Sequence, residues 1–214
     1  MVKANKTCAA HQFTCAVEFI GERDVSLFMK RRSLVLALAA LPVMGGVLRT
    51  FPGARSSTHT NADIEAMQTR WREFLPADAK PPNASDKLVL SEELWRAQLS
   101  PEQFQILRKD GTERAFSSPL DKEKGRGVFA CAGCELPLFS SEMKFDSGTG
   151  WPSFFTTIPN ATQTKRDYRY GWTRVEYHCA RCGGHQGHVF DDGPEPTRQR
   201  WCNNGVALKF LPVS

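Results

Sequence analysis

Two Cys-x-x-Cys knuckles, Cys131-Ala-Gly-Cys134 and Cys179-Ala-Arg-Cys182, stand forty-four residues apart. Four thiolates on two tight turns suit a tetrahedral zinc ion, which takes all-cysteine ligation in closed structural sites. Such a site leaves no open coordination position, so the ion is expected to tie distant strands together and to take no part in turnover. Gly133, Gly183 and Gly184 are expected to let the backbone turn beneath the sulfurs. Two disulfides or two redox-active pairs are the competing reading of this spacing, and cobalt or iron the competing occupants.

Cys202 belongs to no pair. A free cysteine is commonly an inert small hydrophobe, but this one sits in Arg200-Trp-Cys-Asn-Asn-Gly, with Arg200 on the same side if the segment is a strand. His185 and His188 lie seventeen and fourteen residues upstream, on a Gly-rich turn ending in Asp191-Asp192-Gly-Pro. A cation and imidazoles draw a thiol's pKa toward the reactive range, which makes Cys202 a candidate nucleophile. The alternatives are that these histidines are satisfied core residues or spare metal ligands, the second disfavoured because four cysteines already fill the zinc. Trp151 is presented by Ser147-Gly-Thr-Gly-Trp-Pro-Ser, a tight loop. It is either core or one wall of a small apolar pocket for a thioether or methyl group.

These groups need a scaffold, and the 214 residues allow one ordinary domain behind a leader. The formal charge of +5 resides in residues 1–55, with eight Lys/Arg against three Asp/Glu; residues 56–214 carry twenty of each sign. A body with no net charge lacks the electrostatic footprint of a nucleic-acid binder. Residues 34–48 are free of charge and follow Met29-Lys-Arg-Arg. This pattern is too short for a bilayer span of roughly 20 residues and suits a signal peptide. Arg31-Arg32 resembles a twin-arginine export signal. The organisation expected is an upstream extension at 1–28, a signal at 29–55, a linker with a short helix around 62–74 at 56–88, and the functional domain at 89–214. Periplasmic or exported localisation follows, with an uncleaved membrane anchor as the alternative.

Ser91 before Glu-Glu and Ser100 before Pro-Glu-Gln read as helix N-caps, the second with Gln103 in a capping box. Phe104, Ile106 and Leu107 form the second helix's buried face, and Asp110-Gly111 stops it. Beyond Gly127, short apolar runs at 128–130, 138–139, 154–158, 168–177, 187–190 and 206–211 are broken by Gly, Pro and Asn, so the body is expected to be mainly antiparallel β.

From about residue 91 to 211 the chain resembles the type-B methionine sulfoxide reductases, the family that reduces the R epimer of methionine sulfoxide. The likeness is carried by Leu107-Arg-Lys-Asp-Gly-Thr-Glu-Arg, both knuckles, Phe145-Asp-Ser-Gly-Thr-Gly-Trp-Pro-Ser-Phe, His185-Gln-Gly-His-Val-Phe-Asp-Asp-Gly-Pro and Arg200-Trp-Cys-Asn-Asn-Gly-Val-Ala-Leu-Lys-Phe. The resemblance implies an α+β fold of two antiparallel sheets with short N-terminal helices, and one structural Zn2+ on Cys131, Cys134, Cys179 and Cys182. It implies Cys202 as nucleophile, His185 and His188 as active-site histidines, Trp151 as the holder of the substrate methyl group, and Asp192, Arg200 and Asn204 as supporting residues. The implied partners are oxidised proteins bearing methionine sulfoxide, and a thioredoxin-like reductant or small thiol. Five positions depart from the pattern: Gln186 where leucine is common, Trp201 where tyrosine or phenylalanine is usual, Asn203 and Gly205 in Asn203-Asn-Gly for Ile-Asn-Ser, and Thr149 where many members have a resolving cysteine. A non-catalytic zinc module that binds a protein partner, and a cysteine hydrolase using Cys202 and a histidine, are the competing functions.

Overall fold

The structure is a computed structural model that describes residues 59–213 apart from positions 170 and 172. The extension, the signal, Cys8, Cys15, Tyr170 and Trp172 lie outside the described residues. Among the described residues, no helix is long and apolar enough to cross a membrane.

Three α-helices precede the strands: α1 Asn61–Arg70, α2 Glu92–Gln98 and α3 Pro101–Lys109. Thr60 and Asp63 close a capping box on α1. The chain then continues through a 3-10 turn, Trp71–Phe74. The helix expected around 62–74 is thus present, but it does not hang free. Ile64, Met67, Trp71 and Phe74 recur at helical spacing and are buried, and Gln68 Nε2 donates to Thr156 Oγ1 at 2.7 Å. The polar average of this stretch hid its apolar face. Ser91 caps α2, and Ser100 and Gln103 form the expected box on α3. Asp110 ends α3 in the left-handed conformation, at φ 53°.

The strands are β1 Gly127–Cys131, β2 Pro137–Ser140, β3 Lys144–Phe145, β4 Ser153–Phe154, β5 Thr162–Asp167, β6 Arg174–Cys179, β7 His185–Phe190, β8 Arg200–Asn203 and β9 Leu208–Pro212. They form a three-stranded sheet, β2-β1-β9, and a six-stranded sheet, β3-β4-β8-β7-β6-β5, with antiparallel pairings throughout. The α+β class with two antiparallel sheets and short N-terminal helices is as expected. Two details differ. The run at 168–177 is not one strand, since β6 starts at Arg174. Its partner β5, Thr-Gln-Thr-Lys-Arg-Asp, went unseen because it is a mostly exposed edge strand with no apolar alternation.

The sheets meet over an aromatic core. Phe139 of β2 stacks on Phe154 of β4 with ring centres 3.9 Å apart, and Phe129 of β1 meets Phe154 edge-on at 5.1 Å. Tyr177 of β6 stands perpendicular to Phe139 and to Trp201 of β8. α3 packs its apolar face on β7 and on the 3-10 turn Gly205–Ala207. Since Phe154 joins both sheets and is fully buried, Phe154→Ala should destabilise the fold by about 3–5 kcal/mol. Urea unfolding followed by tryptophan fluorescence measures this; a loss below about 1 kcal/mol would show that the stack is not a keystone.

Candidate active site and metal centre

The four side chains that could hold a metal ion come from both sheets. Cys131 ends β1, Cys179 ends β6, and Cys134 and Cys182 sit on the turns that follow. Backbone bonds shape each turn: Glu135 N–H donates to the Cys131 carbonyl at 2.7 Å, and Gly183 N–H to the Cys179 carbonyl at 2.9 Å. The glycines serve unequally. Gly183 has φ 69°, and a Cβ on Gly184 would press against Leu107 and the Cys182 sulfur. Gly133 shows neither need; in the first knuckle it is Glu135, at φ 60°, that takes the left-handed turn.

The four sulfurs lie within 4.8 Å of one another, with Cys131 to Cys182 at 3.7 Å and Cys134 to Cys179 at 3.5 Å. A disulfide needs about 2.05 Å. A tetrahedral centre with metal–sulfur bonds of ~2.3 Å needs sulfurs about 3.8 Å apart, so the residues present fit such an ion. Gln186 Nε2 donates to Cys131 Sγ at 3.3 Å, a bond that suits a negatively charged sulfur.

The second site stands on the face of the large sheet turned away from the aromatic core. Register places Ser153 of β4, Cys202 of β8, His188 of β7 and Glu176 of β6 in one row across four strands. A cavity of about 150 Å³ is lined by Thr112, Trp151, Arg174, Gly187, His188, Phe190, Cys202, Asn203 and Asn204. Four of the seven residues expected here therefore share one cavity: Trp151, His188, Cys202 and Asn204. His185, Asp192 and Arg200 are not among its lining residues.

A bulge decides where the histidines go. Tyr177 pairs with Gly187 but His178 pairs with His185, so Gln186 is the extra residue on β7. Without it, positions three apart on a strand would face opposite sides. With it, both rings turn the same way, 5.6 Å apart. Gly187 beside the bulge is required by space, since a Cβ there would strike the Cys202 carbonyl.

Each group is held by a partner. His185 is buried, with Nδ1 2.9 Å from Glu176 Oε1. His188 Nε2 lies 2.8 Å from Asp167 Oδ2, to which Arg174 Nη2 also donates at 2.6 Å. Burial pulls the His188 pKa down, while Asp167 opposes that shift. The backbone N–H of Arg169 and the His188 ring hold the Asp167 carboxyl well below the usual carboxylate range. Arg200 is buried, clasps Asp192 through two bonds of 2.8 and 3.0 Å and lies over the Phe190 ring. Burial pushes the Cys202 thiol up, against the opposing pull of the Arg200 guanidinium.

Glu113 organises the far wall. Its N–H donates to Asn204 Oδ1 at 3.0 Å, and its carbonyl accepts from Trp151 Nε1 at 3.3 Å. Its carboxylate accepts from Gly205 and Val206 N–H at 2.6 and 2.8 Å. Burial lifts its pKa against the effect of those two donors. Sequence reasoning singled out neither Glu113, Asp167 nor Glu176. Glu176 had no signal in the strand pattern, since alternation in Arg174-Val-Glu-Tyr-His sets it with Arg174 and His178, opposite Val175 and Tyr177. Asp167 had none, because it ends an otherwise exposed edge strand.

Comparison with known proteins gives a consistent answer. The SelR domain family matches residues 99–212. Over 130 residues the chain is 50% identical to "Peptide methionine sulfoxide reductase MsrB" of Agrobacterium fabrum, covering 60% of this chain and 96% of that protein. The protein of the same name from Methanosarcina mazei is 51% identical over 128 residues, 59% of this chain and 91% of its own. That from Bradyrhizobium diazoefficiens is 48% identical over 136 residues, 63% and 98% of the two chains.

Asp167 gives the site a pH signature. A carboxyl whose pKa is depressed by folding contributes stability that is complete above the ordinary aspartate value near 4 and is lost as pH falls through the depressed value. The thermal midpoint of the parent should therefore fall between about pH 5 and pH 2. Asp167→Asn should melt lower at neutral pH and show a shallower acid decline. Parallel curves for the two proteins would show that Asp167 contributes nothing through its charge.

Proposed function

The chain belongs to the SelR domain family and is an oxidoreductase that reduces methionine sulfoxide, and we propose that it acts on the R epimer of protein-bound methionine sulfoxide with Cys202 as nucleophile. The supporting observation is the cavity that Trp151, His188 and Cys202 share. Its volume of about 150 Å³ suits the end of a side chain rather than a whole peptide. The indole of Trp151, anchored on the Glu113 carbonyl, offers an apolar wall to the S-methyl group.

In the reaction, the Cys202 thiolate attacks the sulfoxide sulfur and the oxygen takes up a proton. The oxygen passes to Cys202 as hydroxyl, methionine departs, and a sulfenic acid remains. The cysteine sulfur loses two electrons and the methionine sulfur gains them. His188 is the group placed to supply the proton. Its Nε2 is committed to Asp167, so Nδ1 is the nitrogen that can deliver it, and Asp167 supports the imidazolium form. His185, fixed on Glu176, backs the first ring rather than touching substrate. Arg200 supports the thiolate while Asp192 orients the guanidinium. Asn204 shapes the cavity wall through its bonds to Glu113 and Gln186.

The four-cysteine centre takes zinc, which supplies a structural cross-link and no chemistry to turnover. A thioredoxin-like protein or small thiol is the external reductant. Among the described residues the other four cysteines are gathered at the candidate metal centre, and Thr149 stands where many members of the family have a resolving cysteine. Two thiols therefore enter in trans, returning Cys202 to thiol and leaving as a disulfide with release of water. The leader is proposed to export the chain to the periplasm, where N-terminal sequencing of the mature protein would locate the cleavage point.

Reduction of R-methionine sulfoxide with dithiothreitol tests the reading. Parent protein should turn over; Cys202→Ser should not, while retaining its metal. One equivalent of sulfoxide without reductant should leave a sulfenic acid on Cys202 that dimedone traps. An intramolecular disulfide from Cys202 would refute recycling in trans, and Thr149→Cys should create one. For the metal, Cys179→Ser should lose zinc and thermal stability together, measured by elemental analysis and calorimetry. A variant that keeps both would remove Cys179 from the ligand set.

A further inference from the structure

The bulge residue of β7 reaches the four-cysteine centre. Gln186 is fully buried, and its Nε2 donates to Cys131 Sγ at 3.3 Å. Its Oε1 accepts from Asn203 Nδ2 at 3.3 Å. Asn203 Nδ2 also donates to the Asn204 carbonyl at 2.8 Å, and Asn203 Oδ1 accepts from the Tyr177 hydroxyl at 2.6 Å. The Gln186 main chain is held as well. Its carbonyl accepts from Asn204 N–H at 2.8 Å and from Asn204 Nδ2 at 2.9 Å.

The direction of this chain of bonds is forced. A side-chain amide has one accepting end and one donating end, so each amide is turned by what it faces. The Asn204 carbonyl can only accept, and it also takes the Ala207 N–H at 3.0 Å. Nδ2 is therefore the end of Asn203 that meets it. The second proton of that NH2 group goes to Gln186, which must present Oε1 there. Nε2 is then the end left for Cys131. Reversing either amide would set like groups against each other in the core. A thiol is a weak acceptor, whereas a metal-bound thiolate is a strong one. The network thus delivers an N–H to the place where a bound ion would leave negative charge.

We propose that Gln186 is a metal-site residue of this chain: its amide N–H offsets the charge of the Cys131 thiolate, and Asn203 turns that N–H toward the sulfur. Four thiolates bring more negative charge than one divalent ion cancels, and donors behind the ligands stabilise the excess. Retention of the ion then depends on an amide oriented by the residue that follows Cys202. This rests on the reading of the four cysteines as a zinc centre. The Tyr177 hydroxyl bonds the opposite end of Asn203. Removing it leaves Nδ2 on the Asn204 carbonyl, so the direction of the chain is unchanged.

The test is zinc retention by the full-length protein, measured by competition with a chromogenic chelator, with a thermal melt of each variant alongside. Gln186→Met removes the N–H at nearly constant length and should weaken zinc binding about tenfold or more. Gln186→Leu repeats the measurement with a branched apolar side chain and should do the same. Tyr177→Phe should follow the parent. In the cobalt(II)-loaded protein the sulfur-to-metal charge-transfer band should move to longer wavelength in Gln186→Met, because a thiolate without its N–H gives up charge more readily. It should stay in place in Tyr177→Phe. That band reports the electronic state of the sulfur, which loosened packing alone does not change. A Tyr177→Phe variant that weakens zinc and shifts the band as far as Gln186→Met would overturn the proposal. A parent that takes up no zinc overturns the zinc reading and this inference with it. A parent that holds zinc while both Gln186 variants hold it equally well overturns this inference alone.

Discussion

Four cysteine sulfurs within 4.8 Å of one another are the constraint on which the rest of the molecule depends. Two of them end strands of different sheets, Cys131 on β1 and Cys179 on β6. Drawing them together fixes one sheet against the other at that corner. Four buried sulfurs this close could hold a cation such as zinc, which would bind them as thiolates. The aromatic stack of Phe139 on Phe154 then closes the interface between the sheets. Because Phe154 adjoins Ser153 on β4, and Ser153 pairs with Cys202, this packing also sets the floor of the catalytic row.

A buried polar chain carries that constraint toward the site. Gln186 donates to Cys131 Sγ and accepts from Asn203 Nδ2, and Asn203 Oδ1 accepts from the Tyr177 hydroxyl at 2.6 Å. Gln186 is the bulge residue next to His185, and Asn203 is next to Cys202. The two positions that depart from the family's apolar pattern here are therefore bonded to each other. A glutamine alone in this place would leave a buried amide unsatisfied, at a cost of about 1–3 kcal/mol; the asparagine gives it a partner. Networks of this kind tolerate little disturbance, since removing one member strands the next.

Opposed effects act on one sulfur and on one imidazole. Burial disfavours the Cys202 thiolate, whereas the Arg200 guanidinium favours it. Burial also disfavours the His188 imidazolium, whereas Asp167 favours it. The Trp151 indole lines the same cavity. Its orientation comes from Glu113, which bonds Trp151, Asn204, Gly205 and Val206 at once.

The sequence by itself determined much of this. Doubled Cys-x-x-Cys spacing identified the metal centre, capping residues located α2 and α3, and turn-rich apolar runs identified a mainly β body. Local chemistry sufficed there, because two residues on one tight turn, or a serine before a helix, act over a few positions. Residues whose importance comes from a distant neighbour were not legible. Asp167 gains its role only when β5 pairs with β6 beside β7, and Glu113 only when its loop meets the turn after β8. The docking of α1 was masked by the polar residues around its apolar face. The bulge at Gln186 was decided wholly by tertiary structure. One extra residue between β6 and β7 turns both histidines to the same side, and no pattern in His-Gln-Gly-His states that the strand slips there. Strand register is a property of pairs of segments, so it is fixed by packing and not by either segment alone.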